Sequence, residues 1–180
     1  MIVLPNKMLR DKAEQQIGGS KNFKGYSGFL DLNNQGCEDR TMGACYNKIE
    51  IDSPISDVWN TISDFHDMTW ATGIITNIST VGDKKGTEPG AKRVINDVIH
   101  ETLINRDPDS FTFSYTIDDR SGPVSSFVSN YIVVVKLTSI ECGTLVEWSS
   151  SFESVNEFAV ASFLKPIYST LLSTLKKTLS

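Results

Sequence analysis

From Ala44 onward the chain alternates, with Cys45, Asn47, Ile49 and Ile51 on one parity and Tyr46, Lys48, Glu50 and Asp52 on the other. That period of two predicts a half-buried strand. The period then lengthens. Ser53 reads as a helix N-cap with Pro54 at the first helical position, where its missing N–H costs no helical bond. Val58, Trp59, Ile62 and Phe65 follow at helical spacing. The pattern predicts a short helix to about Phe65, and residues 66 to 73 add a second turn or small helix.

Further strands are predicted over about 74–81, 91–98, 99–106, 110–117, 127–139 and 144–152, seven in all with the first. The clearest sets Phe111, Phe113, Tyr115 and Ile117 against Thr112, Ser114, Thr116 and Asp118. This alternation directs four bulky side chains to one face. Turn chemistry separates the runs at Gly82-Asp83, Asp107-Pro108-Asp109, Gly122-Pro123 and Glu141-Cys142-Gly143. Consecutive strands joined by short turns predict an antiparallel meander of the α+β class.

The final segment, Asn156 to Leu179, puts Val160, Leu164, Ile167, Tyr168, Leu171, Leu175 and Leu179 along one side at helical spacing. A long amphipathic helix is expected. Pro166 lies inside it and predicts a kink near Phe163 to Lys165.

Residues 1 to 42 read as an appended N-terminal arm, broken by Gly18-Gly19-Ser20, Gly25, Gly28 and Asn33-Asn34-Gln35-Gly36. Met8 to Ile17 has the makings of a short helix closed by the glycine pair. The expected organisation is this arm followed by one domain over 43–180, with the arm dispensable for folding.

Composition narrows the function classes. At 180 residues, with 39% hydrophobic and 22% charged residues, the chain has the material for one ordinary core. A net charge of -5 without any cluster of Lys and Arg interleaved with aromatics argues against nucleic acid as a partner. The cysteines Cys37, Cys45 and Cys142 are odd in number and lack metal-site spacing, so free thiols in a reducing compartment are expected. His66 between Asp64 and Asp67 reads as a solvated helix end, and neither a metal nor another cofactor is called for. The opening Met-Ile-Val-Leu-Pro is interrupted by Asn6, Lys7, Arg10, Asp11 and Lys12 before it reaches export length. No later window is expected to reach membrane-span length, so the reading is a cytoplasmic protein without integral membrane association. The oligomeric state stays open.

The order strand, two small helices, six strands, long helix resembles the SRPBCC superfamily, which contains the birch-pollen allergen, the START lipid-transfer domains and the polyketide cyclases. The resemblance covers about residues 43 to 180. Local words agree at Pro54-Ile55-Ser56-Asp57-Val58-Trp59, Pro89-Gly90-Ala91-Lys92-Arg93, His100-Glu101-Thr102-Leu103 and Val146-Glu147-Trp148. The implied fold is a helix-grip: a seven-stranded curved antiparallel sheet around a long C-terminal helix, with two short helices between strands 1 and 2. The nearest resemblance is to the branch with lachrymatory factor synthase and the abscisic acid receptors. In that branch an Arg after Pro-Gly, a Glu before a Leu-containing strand and a Tyr opening a later strand point into a cavity. Arg93, Glu101 and Tyr131 hold the matching positions. The receptors' gate word Ser-Gly-Leu-Pro-Ala and latch word His-Arg-Leu are absent, and Asp119-Arg120-Ser121-Gly122-Pro123 stands where the latch would be.

Parity alone places Glu101 with Ile99 and Leu103, and Arg93 with Ala91 and Ile95. Two charges among apolar neighbours favour an Arg–carboxylate pair, here expected to be bridged by Tyr131. Such a Glu can bind a ligand, act as an acid or base, or only fix a wall. With Phe111, Phe113, Tyr115, Trp70, Leu164 and Tyr168, the three complete the candidate lining of a site for a small hydrophobic or aromatic molecule. Trp59 and Trp148 are read chiefly as core. His100 is expected to face away, and Gly82, Gly86 and Gly90 to form a flexible hairpin at the rim. The leading expectation is a small-molecule binder. A cyclase, dehydratase or isomerase using Glu101 and Arg93, with Tyr131, is the alternative, and a protein-interaction module with a collapsed pocket is a third.

Overall fold

A computed structural model describes residues 40–118 and 127–180. The arm up to residue 39, with its expected helix and Cys37, lies outside the described residues, as do the Gly122-Pro123 turn and the segment at the latch position. Seven strands form one antiparallel sheet in the order β1-β7-β6-β5-β4-β3-β2. They are β1 (Thr41–Ile51), β2 (Ile78–Val81), β3 (Lys92–Ile95), β4 (Ile99–Asp107), β5 (Thr112–Ile117), β6 (Val128–Ile140) and β7 (Gly143–Ser154). Helix α1 (Ile55–Ile62) and a 3-10 turn (Thr69–Ala71) lie between β1 and β2, and helix α2 (Glu157–Thr178) ends the chain. β1 begins just ahead of the expected domain start at residue 43.

Several local expectations are corrected. Ser53 does not cap α1: Pro54 occupies that position without a side-chain bond, and Ser53 Oγ donates to the Leu179 carbonyl at 3.1 Å. The serine therefore ties the start of α1 to the end of α2. Residues 74 to 77 stop short of β2 because Asn96 Oδ1 accepts from Thr76 N at 2.8 Å and from Thr76 Oγ1 at 3.0 Å. β3 ends at Ile95 because Asn96 and Asp97 take φ of 51° and 60°, the left-handed pair of a type I′ hairpin turn. Phe111 precedes β5 and has φ of 50°, so the expected row begins with Phe113. The glycine-rich segment is anchored, since the Gly86 carbonyl accepts from Phe65 N at 2.9 Å. A Cβ on Gly86 would meet Asp64 Oδ1 at 1.9 Å, so only glycine fits that approach.

The core fills the space between the concave face and α2. Val160, Phe163, Leu164, Tyr168, Leu171, Leu172 and Leu175 are the buried residues of α2. They meet an inward row that includes Phe113, Tyr115, Tyr131, Val133, Val135, Val146, Trp148 and Phe152. Contrary to expectation, α2 is long and apolar enough to cross a membrane by length and composition. Its apolar side packs on the sheet, which makes it the core helix of this fold. The helix runs through Pro166, next to which Asn47 Nδ2 of β1 donates to the Lys165 carbonyl at 3.2 Å.

Candidate functional site

Two strands meet in register at the centre of the ionic group. Arg93 on β3 stands directly opposite Glu101 on β4. Arg93 Nε donates to Glu101 Oε2 at 2.7 Å, and Nη2 lies 2.6 Å from the same oxygen. The side chains are 5% and 7% exposed, so both charges are out of water. Nη1 donates to the Phe65 carbonyl at 2.7 Å, and the guanidinium lies 3.9 Å from the centre of the Phe65 ring. The pair is thus locked to the segment following α1. Burial pushes the Glu101 carboxyl upward, and the neighbouring Arg93 opposes that rise. Both Arg93 contacts fall on Oε2, leaving Oε1 outside the pair.

Tyr131 does not bridge this pair. Its hydroxyl pairs with that of Tyr168 on α2, because Ile117 of β5 faces Glu101 in register and separates β4 from β6. Burial raises both phenols, so they remain protonated at neutral pH. Tyr115 is buried beside them, with its hydroxyl also pushed up by burial and then by the Glu101 charge.

Trp148 is the hub of the aromatic lining. Its ring lies 6.4 Å from Trp70, 6.5 Å from Phe113, 6.5 Å from Tyr115 and 6.1 Å from Tyr168. Trp70, expected in the lining of the site, is 5% exposed and belongs to the core cluster. Leu164 is buried on the same helix as Tyr168. Phe111 sits half-buried, edge-on to Trp59 at 5.7 Å, away from the pair. The candidates therefore divide into an ionic group around Arg93 and Glu101 and a neutral group around Trp148, Tyr131 and Tyr168. His100 is exposed, as its parity implies. His66 Nε2 lies 3.1 Å from the Lys92 carbonyl.

Two inward groups escape the sequence reading. Arg106 shares its parity with the exposed Ile104 and not with Leu103, yet a bulge between Leu103 and Asn105 turns it inward. It donates through Nε to the Ser63 carbonyl and through Nη2 to Ser63 Oγ, each at 3.0 Å. Ser150 is 4% exposed and lies between Trp148 and Phe152 on the inward parity of β7, a pattern legible from the Trp148 alternation. At the end where β5 and β6 part, a cleft of about 310 Å³ is lined by residues 116–118 and 128–131, including Tyr131.

An antiparallel seven-stranded sheet closed on a C-terminal helix, with charged and hydroxyl groups directed between them, defines the helix-grip class. The chain belongs to the polyketide cyclase / dehydrase and lipid transport family, whose model matches residues 42–180. It is similar to a solved protein of Nitrosospira multiformis, with 31% identity and a TM-score of 0.72 over 76% of this chain and 96% of that one. It also has the fold of Thalictrum flavum norcoclaurine synthase, solved with dopamine and hydroxybenzaldehyde: 14% identity, TM-score 0.62, 84% of this chain and 95% of that one. The fold of Ara h 8.0201 matches at 14% identity and TM-score 0.63, over 77% of this chain and 98% of that one. No curated protein matches the chain in sequence.

Proposed function

We propose that this protein binds a small apolar or aromatic molecule between the sheet and α2, with Arg93, Glu101, Tyr131 and Tyr168 as polar contacts and Phe113, Tyr115, Trp70 and Leu164 as walls. The observation that carries this reading is the number of hydrogen-bonding groups directed into an otherwise apolar core. Arg93, Glu101, Tyr115, Tyr131, Ser150 and Tyr168 are all buried there. A core that only had to pack gains nothing from such groups, because each carries a desolvation cost that an apolar side chain avoids. Membership of a cyclase and lipid-transport family supports the same reading.

The test is native mass spectrometry of the full chain purified from its own source, followed by titration with anilinonaphthalene sulfonate. A co-purifying small molecule that competes with the dye is the expected result. Absence of both a co-purifying molecule and any dye binding sinks the reading and leaves a partner-binding domain with a filled core.

A second reading is favoured by one feature, the buried carboxyl of Glu101 with Oε1 outside the ion pair. A carboxyl raised by burial is better suited to giving up and taking back a proton than an exposed one. If the bound molecule is turned over, Glu101→Gln lowers kcat by about a hundredfold or more while binding changes little. If it is only carried, the same substitution moves affinity and no turnover is present to lose.

A further inference from the structure

Among the described residues, three buried polar atoms on one wall of the interior have no hydrogen-bond partner: Trp70 Nε1, Trp148 Nε1 and Ser150 Oγ. They are neighbours. Trp148 and Ser150 follow one another on the inward face of β7, the Trp70 ring lies 6.4 Å from Trp148, and Tyr168 stands 6.1 Å from Trp148 on the α2 side. Trp148 Nε1 lies beside the Tyr115 hydroxyl, and Ser150 Oγ beside the Tyr131 and Tyr168 hydroxyls, without an aligned bond in either case.

The two indoles set the sign of this wall. An indole N–H can only donate, whereas a hydroxyl carries one proton and two lone pairs, so those of Tyr131, Tyr168 and Ser150 can serve one another. The protons left over are those of Trp70 and Trp148. A buried donor without an acceptor is costly, and native interiors satisfy such groups. Arg93 and Glu101 cancel one another's charge, so the interior asks for no net charge on its occupant.

We infer that the interior site selects a flat, neutral molecule carrying acceptor oxygens, of the carbonyl or ether kind, which accept from Trp70 Nε1, Trp148 Nε1 and Ser150 Oγ. This rests on the proposed reading of the interior as a binding site. It goes further by discriminating against a hydrocarbon of equal shape and against a ligand that presents only donors.

The experiment compares fluorenone, fluorene and 9-aminofluorene, which share a tricyclic frame and differ at one position, by calorimetric titration of the full-length protein. Fluorenone is expected to bind about tenfold more tightly than fluorene, the value of one well-made hydrogen bond to an otherwise unsatisfied donor. Its carbonyl stretch moves to lower frequency on binding. Ser150→Ala and Trp70→Phe each reduce the ratio of the two affinities. Thermal unfolding of ligand-free Ser150→Ala supplies an independent reading, since removing an unsatisfied hydroxyl leaves the midpoint equal or higher.

Equal affinity for fluorenone and fluorene overturns the inference while leaving the binding site standing. So does tighter binding of the aminofluorene, or an affinity ratio that survives both substitutions. Failure of all three compounds to bind overturns the site together with the inference. A ligand-free Ser150→Ala protein that is markedly less stable shows the hydroxyl already engaged in the fold, and overturns the inference alone.

Discussion

The two ends of the interior are finished by opposite means. At the α1 end, two cations reach from the sheet to backbone carbonyls just past the helix: Arg93 to Phe65 and Arg106 to Ser63. The Ser63 carbonyl belongs to the helix C-cap, where last acceptors are exposed and the dipole is negative, and the Phe65 carbonyl lies two residues on, so a cation at each has structural work to do. At the α2 end the polar groups are neutral phenols, indoles and one serine, and three of their atoms have no partner among the described residues. No helix end calls for them. Polar groups that satisfy the backbone are needed by the fold whatever else they touch, whereas polar groups that satisfy nothing point to a ligand.

The sharpest way to break this contrast is Arg93→Met. It leaves the Glu101 carboxyl buried without its counter-charge and frees the Phe65 carbonyl, and a loss of about 3–5 kcal/mol is expected. Chemical denaturation followed by Trp fluorescence measures it. The double substitution Arg93→Met with Glu101→Leu restores most of that loss, because the larger part is the stranded charge and not the absent pair. A single substitution costing under about 1 kcal/mol contradicts the desolvation argument.

Arg106→Met sharpens the comparison at lower cost. Two bonds to Ser63 and the contact over Trp59, 5.0 Å from the ring centre, disappear. The expected loss is about 1–3 kcal/mol in stability. Affinity for anilinonaphthalene sulfonate stays unchanged, since Arg106 serves α1 alone. A change in dye affinity larger than about threefold places Arg106 in the binding site and dissolves the division between the two ends.

The contrast also requires both ends to belong to one folding unit, and we propose that the described residues from Arg40 onward are that unit. Thr41 Oγ1 bonds Glu157 at 2.7 Å and Arg40 bonds Ser129 at 3.4 Å, so a cut ahead of Arg40 keeps β1 whole. A chain of residues 40–180 is expected to unfold in one cooperative transition, with a midpoint within a few degrees of the full protein. Calorimetry in which residues 40–180 unfold in two transitions, lose many degrees of midpoint, or show no transition contradicts it.

Period and parity made much of this molecule legible. The meander, the long helix, the inward aspect of Phe113 and Tyr115 and the pairing of Arg93 with Glu101 all follow from alternation and from the cost of an unpaired buried charge. The failures have physical causes. Parity is broken by bulges, which is why Arg106 turns inward after Leu103, and why Val128 and Tyr131 are both buried across the shift at Ser129 to Ile132, where Asn130 takes φ of 52°. Alternation extends the strand over Phe111 because it says nothing about a left-handed backbone at the strand's head. The Tyr131 hydroxyl met Tyr168 and not Glu101 because that choice depends on the distance between strands and helix. Ser150 stood in plain view between Trp148 and Phe152, but serine has too little size or charge to be singled out by composition.

The smallest expected effect concerns pH. Burial raises the Glu101 carboxyl above the ordinary carboxylate range, so at pH between the ordinary value and the raised one the folded chain holds a proton that the unfolded chain has released. Stability follows the difference in bound protons between the unfolded and folded states, which is negative in that window. The contribution of Glu101 is therefore greatest below the ordinary carboxylate range and is lost as pH rises toward the folded value. Glu101→Gln cannot titrate and has no such slope. Measured in parallel by denaturant unfolding from mildly acidic to neutral pH, the native protein should lose stability relative to Glu101→Gln as pH rises. If the difference stays flat, Arg93 has restored Glu101 to ordinary acidity; if the native protein gains instead, the ion pair outweighs burial. Either result removes the basis for Glu101 as a proton donor and assigns the ionic end of the interior wholly to the fold.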